Sequence, residues 1–208
     1  MTALVSANGR AVAAKAASLL LRYPDEEVLA ALPVVRSALA TLPDRLAAPL
    51  SLVERHRAQT DPTHLAAEYV ELFDLRRRCC LYLTYYTAGD TRQRGEALLR
   101  FASAYRQAGF AVDGGELPDY LPAVLELAAC SGEPAWELLR GHRVGLDLLG
   151  QALEQERSVY RHAVDAVRSM LPAPTASELA RAVDLARSGP PREEVGLQPF
   201  ALSPGGRR

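Results

Sequence analysis

The residues of this chain that could carry out chemistry are few and far apart. His64 and Glu68 stand four residues apart on a predicted helix and could face one metal ion. A di-iron bundle, however, needs Glu-x-x-His units on two helices, and the sequence has none. Cys79 and Cys80 are adjacent and could form a redox pair, but Cys-x-x-Cys is absent, which favours buried, inert thiols. We therefore predict a solvated or capping histidine at position 64 and no metal or cofactor.

Motifs of the common enzyme classes are also missing. The sequence contains no zinc-binding His-Glu-x-x-His, no nucleophile elbow and no glycine-rich phosphate loop. A Ser/His/Asp triad assembled from distant residues stays open, since such a triad has no fixed spacing. The sequence predicts a protein that is not an enzyme.

The most unusual stretch is residues 69–95, called the Tyr–Arg segment below. It holds five of the thirteen aromatic residues of the chain and five arginines. Tyrosine and arginine are enriched at interface hot spots, and a groove lined by aromatic and aliphatic side chains suits an amphipathic helix. We predict a partner-binding surface whose candidate residues are Tyr69, Phe73, Asp74, Arg76, Tyr82, Tyr85, Tyr86, Asp90 and Arg94.

The alternative interpretation of the Tyr–Arg segment is that its tyrosines are core residues beside a solvated arginine turn. Successive residues of a helix point about 100° apart. We therefore expect at least one of Tyr85 and Tyr86 to lie in the core.

Helical periodicity, with start and stop signals, covers most of the chain. Asp61 followed by Pro62 predicts a helix start, and Thr175 with Glu178 has the spacing of a capping box. Pro33 is expected to split or kink a helix. One long helix is predicted from Leu146 to Leu171.

Residues 80–87 have the propensities of a β-strand, but an isolated strand would leave its backbone groups without partners, so we predict a helix there too. The fold class is therefore all-α. We expect a single-domain helical bundle over residues 1–187 and a mobile Pro/Gly-rich tail over residues 188–208.

Composition excludes several classes of protein. The chain has 208 residues, 49% of them hydrophobic, and a formal net charge of -1, which is typical of a globular protein and argues against nucleic acid as a partner. Three cysteines, an odd number, predict free thiols in a reducing cytoplasm. The longest uncharged run in the middle of the chain, 79–89, is too short to cross a bilayer, and no signal peptide is predicted.

Charge is unevenly distributed along the chain. Residues 76–106 contain seven arginines, whereas residues 113–165 contain ten carboxylates. These two regions could neutralise each other inside one domain. Alternatively, they could form an acidic groove for a basic peptide or a basic face for a partner.

A long series of motifs within and around the Tyr–Arg segment resembles one known family. The motifs are Phe73-Asp74-Leu75-Arg76-Arg77-Arg78-Cys79, Leu81-Tyr82-Leu83-Thr84-Tyr85-Tyr86, Gly89-Asp90-Thr91-Arg92, Ala108-Gly109-Phe110 and Glu116-Leu117-Pro118-Asp119-Tyr120-Leu121-Pro122. They resemble the NarJ family of respiratory nitrate reductase assembly chaperones, which belongs to the TorD-like molybdoenzyme chaperones.

The resemblance implies an all-helical cytoplasmic chaperone without catalytic activity. Such a chaperone binds the apo catalytic (alpha) subunit of nitrate reductase, especially its N-terminal segment. It keeps that subunit competent for molybdenum cofactor insertion and prevents premature docking at the membrane. The oligomeric state is left open.

An all-helical transcriptional regulator is the alternative function. It requires a basic N-terminal helix-turn-helix, but residues 1–50 carry nearly balanced charges, and Pro24 and Pro33 interrupt the position of a recognition helix. A helical metalloenzyme is a third possibility that metal analysis would test.

Overall fold

The computed structural model describes residues 6–89, 92–111 and 115–191. Asp90 and residues 192–208 lie outside this part, so the predictions for Asp90 and for most of the tail are not tested by it. The α-helices of the described residues are α1 (Ala7–Leu21), α2 (Glu26–Leu39), α3 (Asp44–Gln59), α4 (Pro62–Tyr69), α5 (Tyr85–Ala88), α6 (Arg92–Gln107), α7 (Leu121–Ser131), α8 (Glu133–Gly141), α9 (Arg143–Gln155), α10 (Arg161–Ser169) and α11 (Ala176–Ser188). The all-α prediction is confirmed.

Two helices start where the sequence predicted a start. The Asp61 carboxylate accepts the backbone N–H of Thr63 at 2.9 Å, ahead of Pro62 in the first turn of α4. At α11, Thr175 and Glu178 form the complete capping box. Such caps satisfy N–H groups that have no partner inside the helix.

Helix α1 lies at the centre of the molecule and packs against α2, α3, α7 and α10. Its alanines, of which Ala13, Ala14 and Ala17 are fully buried, allow close approach of the neighbouring helices. The Ser18 hydroxyl donates to the Pro122 carbonyl at 2.7 Å, which joins α1 to the start of α7.

Buried Arg57 of α3 closes the C-terminal end of α1. One of its guanidinium nitrogens donates to the carbonyls of Leu19 (3.2 Å), Leu20 (2.7 Å) and Arg22 (3.0 Å). Carbonyls at a helix C-terminus lack the N–H partners of the helix interior, and a cation there is also favoured by the helix dipole. Burial lowers the pKa of Arg57.

Three local predictions were wrong or incomplete. α2 runs continuously through Pro33, so the proline does not split it. The predicted long helix is two helices, α9 and α10, separated at Arg157, which has a positive φ of 54°. Apolar periodicity continues across this break, which is why the sequence pattern did not reveal it.

The third error concerns residues 80–87, of which only Tyr85 onward is helical. Tyr82 instead forms an isolated antiparallel bridge with Tyr120. The Leu83 N–H donates to Asp119 O (3.1 Å), and the Leu121 N–H donates to Leu81 O (2.8 Å). The loop before α7 thus supplies the backbone partner that we expected to be missing.

His142, at the junction of α8 and α9, makes the stability of the fold depend on pH. Its ring lies 4.8 Å from that of Phe101, and burial lowers its pKa. An unfolded histidine takes up a proton near pH 6.5, whereas folded His142 does so only at lower pH. Below about pH 6.5 the unfolded state therefore binds more protons than the folded state. The free energy of unfolding decreases as the pH falls.

We expect NMR titration of folded His142 to give a midpoint below about 6.5. His142→Gln should reduce the loss of stability between neutral pH and pH 5. A midpoint at or above the value for unfolded histidine would contradict this assignment.

Candidate partner-binding site

The Tyr–Arg segment runs through several short turns rather than one helix. α4 continues into a π-helical turn, Val70–Asp74, in which the Leu75 N–H donates to Val70 O at 3.0 Å. A 3₁₀ turn, Arg77–Cys79, follows, and the extended residues before α5 pair with the loop at Asp119. The buried Asp119 carboxylate holds this arrangement by accepting the Thr84 N–H (2.9 Å) and hydroxyl (2.6 Å).

Three of the predicted contact residues, Tyr69, Phe73 and Tyr86, lie in the core. The ring of Phe73 lies 4.8 Å from that of Tyr69 and 5.2 Å from that of Tyr160. The Tyr69 hydroxyl donates to Leu21 O at 3.1 Å. Burial raises the pKa of Tyr69. These side chains fasten the segment to α1 and α10.

Tyr86 anchors the second half of the segment. Its hydroxyl lies 2.9 Å from the carbonyl oxygens of both Arg78 and Cys80 and can donate to either. Burial raises its pKa well above the ordinary value. Gly145 of α9 permits close packing here, since a Cβ at that position would lie 3.3 Å from the Tyr86 ring.

Tyr82, Tyr85 and Arg94 are only partly buried. The Tyr82 hydroxyl donates to Glu116 at 3.0 Å, and its ring lies 5.6 Å from that of Tyr120. The Arg94 guanidinium lies 5.9 Å from the Tyr82 ring centre, and its Nε donates to the Thr84 hydroxyl at 3.2 Å. A cation over an aromatic face is favourable, so Arg94 helps to fix the Tyr82 ring.

A groove of about 430 Å³ adjoins Tyr82 and is called the Tyr120 groove below. Its principal lining residues are Arg22, Tyr105, Phe110, Glu116, Tyr120, Ala123, Glu126 and Leu127. Phe110 is 45% exposed although it is aromatic. The Tyr105 hydroxyl is buried and has no hydrogen-bond partner among the described residues.

The arginine turn pairs mainly with acidic residues of the same chain. Arg76 forms ion pairs with Glu71 and Glu156, and Arg78 also pairs with Glu156. These ion pairs favour the interpretation that the basic and acidic regions of the chain neutralise each other within one domain. Asp74 is exposed at the end of the π-helical turn.

Phe110, Glu116 and Tyr120 belong to the motifs that carry the family resemblance but are not among the predicted site residues. Two signals could have done so: an aromatic residue directly after the helix-ending Gly109, and a carboxylate and tyrosine around Pro118. Their proximity to Tyr82 depends on the bridge between Tyr82 and Tyr120, which no local pattern predicts.

Comparison with solved structures identifies the class of fold. A crystal structure from Archaeoglobus fulgidus, of a protein assigned as a redox enzyme maturation protein, matches with a TM-score of 0.56 and 27% identity. The match covers 76% of this chain and 91% of that chain. The fold is that of an all-α redox enzyme maturation protein.

Comparison of sequences identifies the family. The model of the family described as nitrate reductase delta subunit matches residues 29–166. The chain therefore belongs to the nitrate reductase delta subunit family, which includes the NarJ assembly chaperones. This membership favours the chaperone prediction over the transcriptional regulator.

Several relatives are substantially similar. The nitrate reductase-like protein NarX of Mycobacterium tuberculosis is 43% identical over 152 residues, covering 73% of this chain and 23% of NarX. The nitrate reductase molybdenum cofactor assembly chaperone NarJ of Escherichia coli K12 is 35% identical, covering 69% of this chain and 62% of NarJ. A protein of Bacillus subtilis assigned as the same kind of chaperone is 35% identical over 83% of its length.

Membrane-spanning helices and metal-binding clusters are both absent from the described residues. No helix in the described ranges is both long and apolar enough to cross a membrane. Within residues 6–89, 92–111 and 115–191, no group of three or more His, Cys, Asp or Glu side chains could hold a metal ion.

Proposed function

We propose that this chain is a cytoplasmic assembly chaperone for a respiratory nitrate reductase. It binds the apo catalytic (alpha) subunit, including its N-terminal segment. It keeps that subunit competent for molybdenum cofactor insertion and releases it for docking at the membrane afterwards. Membership of the family of NarJ supports the chaperone role.

The observation that carries the proposed binding mode is the Tyr120 groove. An amphipathic helix needs an apolar surface bordered by polar groups. Phe110, Ala123 and Leu127 provide the apolar surface, while Glu116 and Glu126 provide the polar groups. In this proposal the bound segment also contacts the half-buried Tyr82, whose side chain adjoins Glu116 and Tyr120 of the groove.

The predicted residues have different roles in this proposal. Tyr82 contacts Glu116 and Tyr120 of the groove, and Arg94 lies over the Tyr82 ring. Tyr85 lies half-buried at the start of α5. Tyr69, Phe73 and Tyr86 hold the segment in place from the core. Arg76 contributes through its ion pairs with Glu71 and Glu156, and Asp74 and Asp90 keep their predicted roles as polar contacts.

Tyr82→Ala tests the edge of the groove. We expect it to weaken binding of the N-terminal segment by about 2 kcal/mol or more, roughly 30-fold, because a hot-spot aromatic loses its contact area. The half-buried position of Tyr82 predicts a much smaller effect on thermal unfolding than on binding. Val34→Ala, at a residue that is 71% exposed on α2, is the matched control and should leave both unchanged. If the Tyr82→Ala chain binds the N-terminal segment as tightly as the wild type, Tyr82 is not part of the site.

Co-purification tests the function as a whole. The apo alpha subunit, produced in cells that cannot make the molybdenum cofactor, should elute with this chain in size-exclusion chromatography. The cofactor-loaded subunit should elute separately. Failure of the apo subunit to associate would contradict the proposal.

A further inference from the structure

A cavity of about 670 Å³ lies between α5, α6 and α8, with Arg181 of α11 at its wall, and is called the Arg100 cavity below. It is distinct from the Tyr120 groove, because the two have no lining residue in common. Sites that hold small molecules typically have volumes of about 300–1,000 Å³. The Arg100 cavity is therefore large enough for such a ligand.

Two arginines from different helices line the Arg100 cavity. They are Arg100 of α6 and Arg181 of α11. Neither guanidinium group forms an ion pair or a hydrogen bond with another residue in the described ranges. The arginine turn differs in this respect, since Arg76 and Arg78 both pair with Glu156. Two positive charges that face one cavity repel each other, so an anion between them is favoured.

Two carboxylates also line the Arg100 cavity, but neither contacts the two arginines directly. Glu137 pairs with Arg140, at 3.8 Å. In the part of the chain that the structure describes, Glu96 forms no ion pair with Arg100 or Arg181. The two guanidinium groups therefore keep their hydrogen-bond donors for a ligand.

His142 adds a hydrogen-bonding group of defined tautomer to the wall of the Arg100 cavity. Its Nδ1 lies 2.8 Å from the Leu138 carbonyl oxygen. Because a carbonyl only accepts, Nδ1 carries the proton, and Nε2 of the neutral ring is an acceptor. Burial lowers the pKa of His142, and the positive charges of Arg100 and Arg181 lower it further. Both arginines therefore act on the same histidine as well as on the same cavity.

The remaining wall of the Arg100 cavity can accommodate the uncharged part of a small molecule. Ala97, Ala104 and Leu138 provide apolar surface. The Ser103 hydroxyl and the Gln107 side-chain amide, which lie 3.3 Å apart, provide neutral polar groups. The cavity thus combines two cationic groups with apolar and neutral polar surface.

We propose that the Arg100 cavity binds a phosphate ester of small-molecule size. Arg100 and Arg181 hold the phosphate, because a guanidinium group donates two parallel hydrogen bonds to phosphate oxygens. A phosphate monoester carries a charge of about -1.5 to -2 at pH 7, which matches two arginines better than a carboxylate does. Ala97, Ala104 and Leu138 contact the organic part, and a free phosphate ion would leave this surface and most of the volume unused.

The test is a calorimetric titration of the full chain with phenyl phosphate, and with inorganic phosphate in parallel, at an ionic strength held constant with sodium chloride. We expect phenyl phosphate to bind saturably and at least tenfold more tightly than inorganic phosphate, because its ring buries apolar surface. Arg100→Gln and Arg181→Gln should each weaken binding of phenyl phosphate at least tenfold. Arg187→Gln removes the same charge from an exposed position of α11 outside the cavity and should bind like the wild type.

NMR spectroscopy of the same titration locates the bound probe. The ring signals of His142, identified by their loss in the His142→Gln chain, should shift as phenyl phosphate binds. Absence of saturable binding, or His142 signals that do not move at saturation, would overturn the inference. Equal affinity of the Arg100→Gln, Arg181→Gln and Arg187→Gln chains would also do so.

The comparison of the two probes tests the assignment to an ester. If phenyl phosphate and inorganic phosphate bind with equal affinity, the cavity does not recognise an organic part and the assignment is wrong. None of these measurements uses the alpha subunit of nitrate reductase, so failure here leaves the proposed function standing.

Discussion

Replacing Tyr86 with alanine is expected to lower the free energy of unfolding by about 3–5 kcal/mol. The side chain is 5% exposed and packs against α9 at Gly145. Its hydroxyl also lies within hydrogen-bonding distance of the carbonyls of Arg78 and Cys80. Alanine would leave a cavity between the arginine turn and α9 and would remove those hydrogen bonds. Urea unfolding monitored by circular dichroism measures the loss.

The adjacent tyrosine provides the control. Tyr85 is half-buried, so Tyr85→Ala should cost clearly less stability than Tyr86→Ala. Tyr86→Phe should cost about 0.5–1.5 kcal/mol, the value of a typical hydrogen bond. Equal losses for Tyr85→Ala and Tyr86→Ala would contradict the core position of Tyr86.

Replacing Asp147 with alanine is expected to destabilise the fold by about 3–5 kcal/mol. The buried Asp147 carboxylate accepts from Nε of Arg143 at 3.1 Å and from Nε of Arg168 at 2.7 Å. The bond from Arg168 joins α10 to α9, whereas the bond from Arg143 lies within α9. Without the carboxylate, the buried Arg143 guanidinium loses its compensating charge, and its remaining bonds to the Arg168 and Pro172 carbonyls do not neutralise it.

A variant that lacks both charges tests whether the lost stability comes from the uncompensated Arg143 charge or from a general packing defect. In an Arg143→Met/Asp147→Leu double variant no buried charge is left unpaired, and replacing buried ion pairs by apolar residues is often neutral. Most of the lost stability should return. A double variant as unstable as Asp147→Ala would show that packing, and not the charge, accounts for the loss.

The sequence predicted helices well where polar residues mark their ends. Asp61 and Thr175 cap helices as expected, because a cap depends only on residues within one turn. The structure of residues 80–84 could not be predicted in this way. Their conformation depends on Asp119 and Leu121, more than thirty residues away.

The role of the Tyr–Arg segment as a partner-binding surface stays a prediction. At least one of Tyr85 and Tyr86 was expected in the core, and the buried position of Tyr86 confirms this. Residue type alone does not distinguish aromatic side chains in the core from those at a binding surface, because aromatic residues are common in both places. Phe73 and Tyr82 differ in burial only because of the turns between them.

Isothermal titration calorimetry with a peptide of the alpha-subunit N-terminus tests the central claim most directly. We predict binding at about micromolar affinity or tighter, near -8 kcal/mol, with a scrambled peptide of the same composition giving no saturable heat. The Tyr82→Ala chain should bind the native peptide about 30-fold more weakly. Equal heats for the native and scrambled peptides would contradict the account.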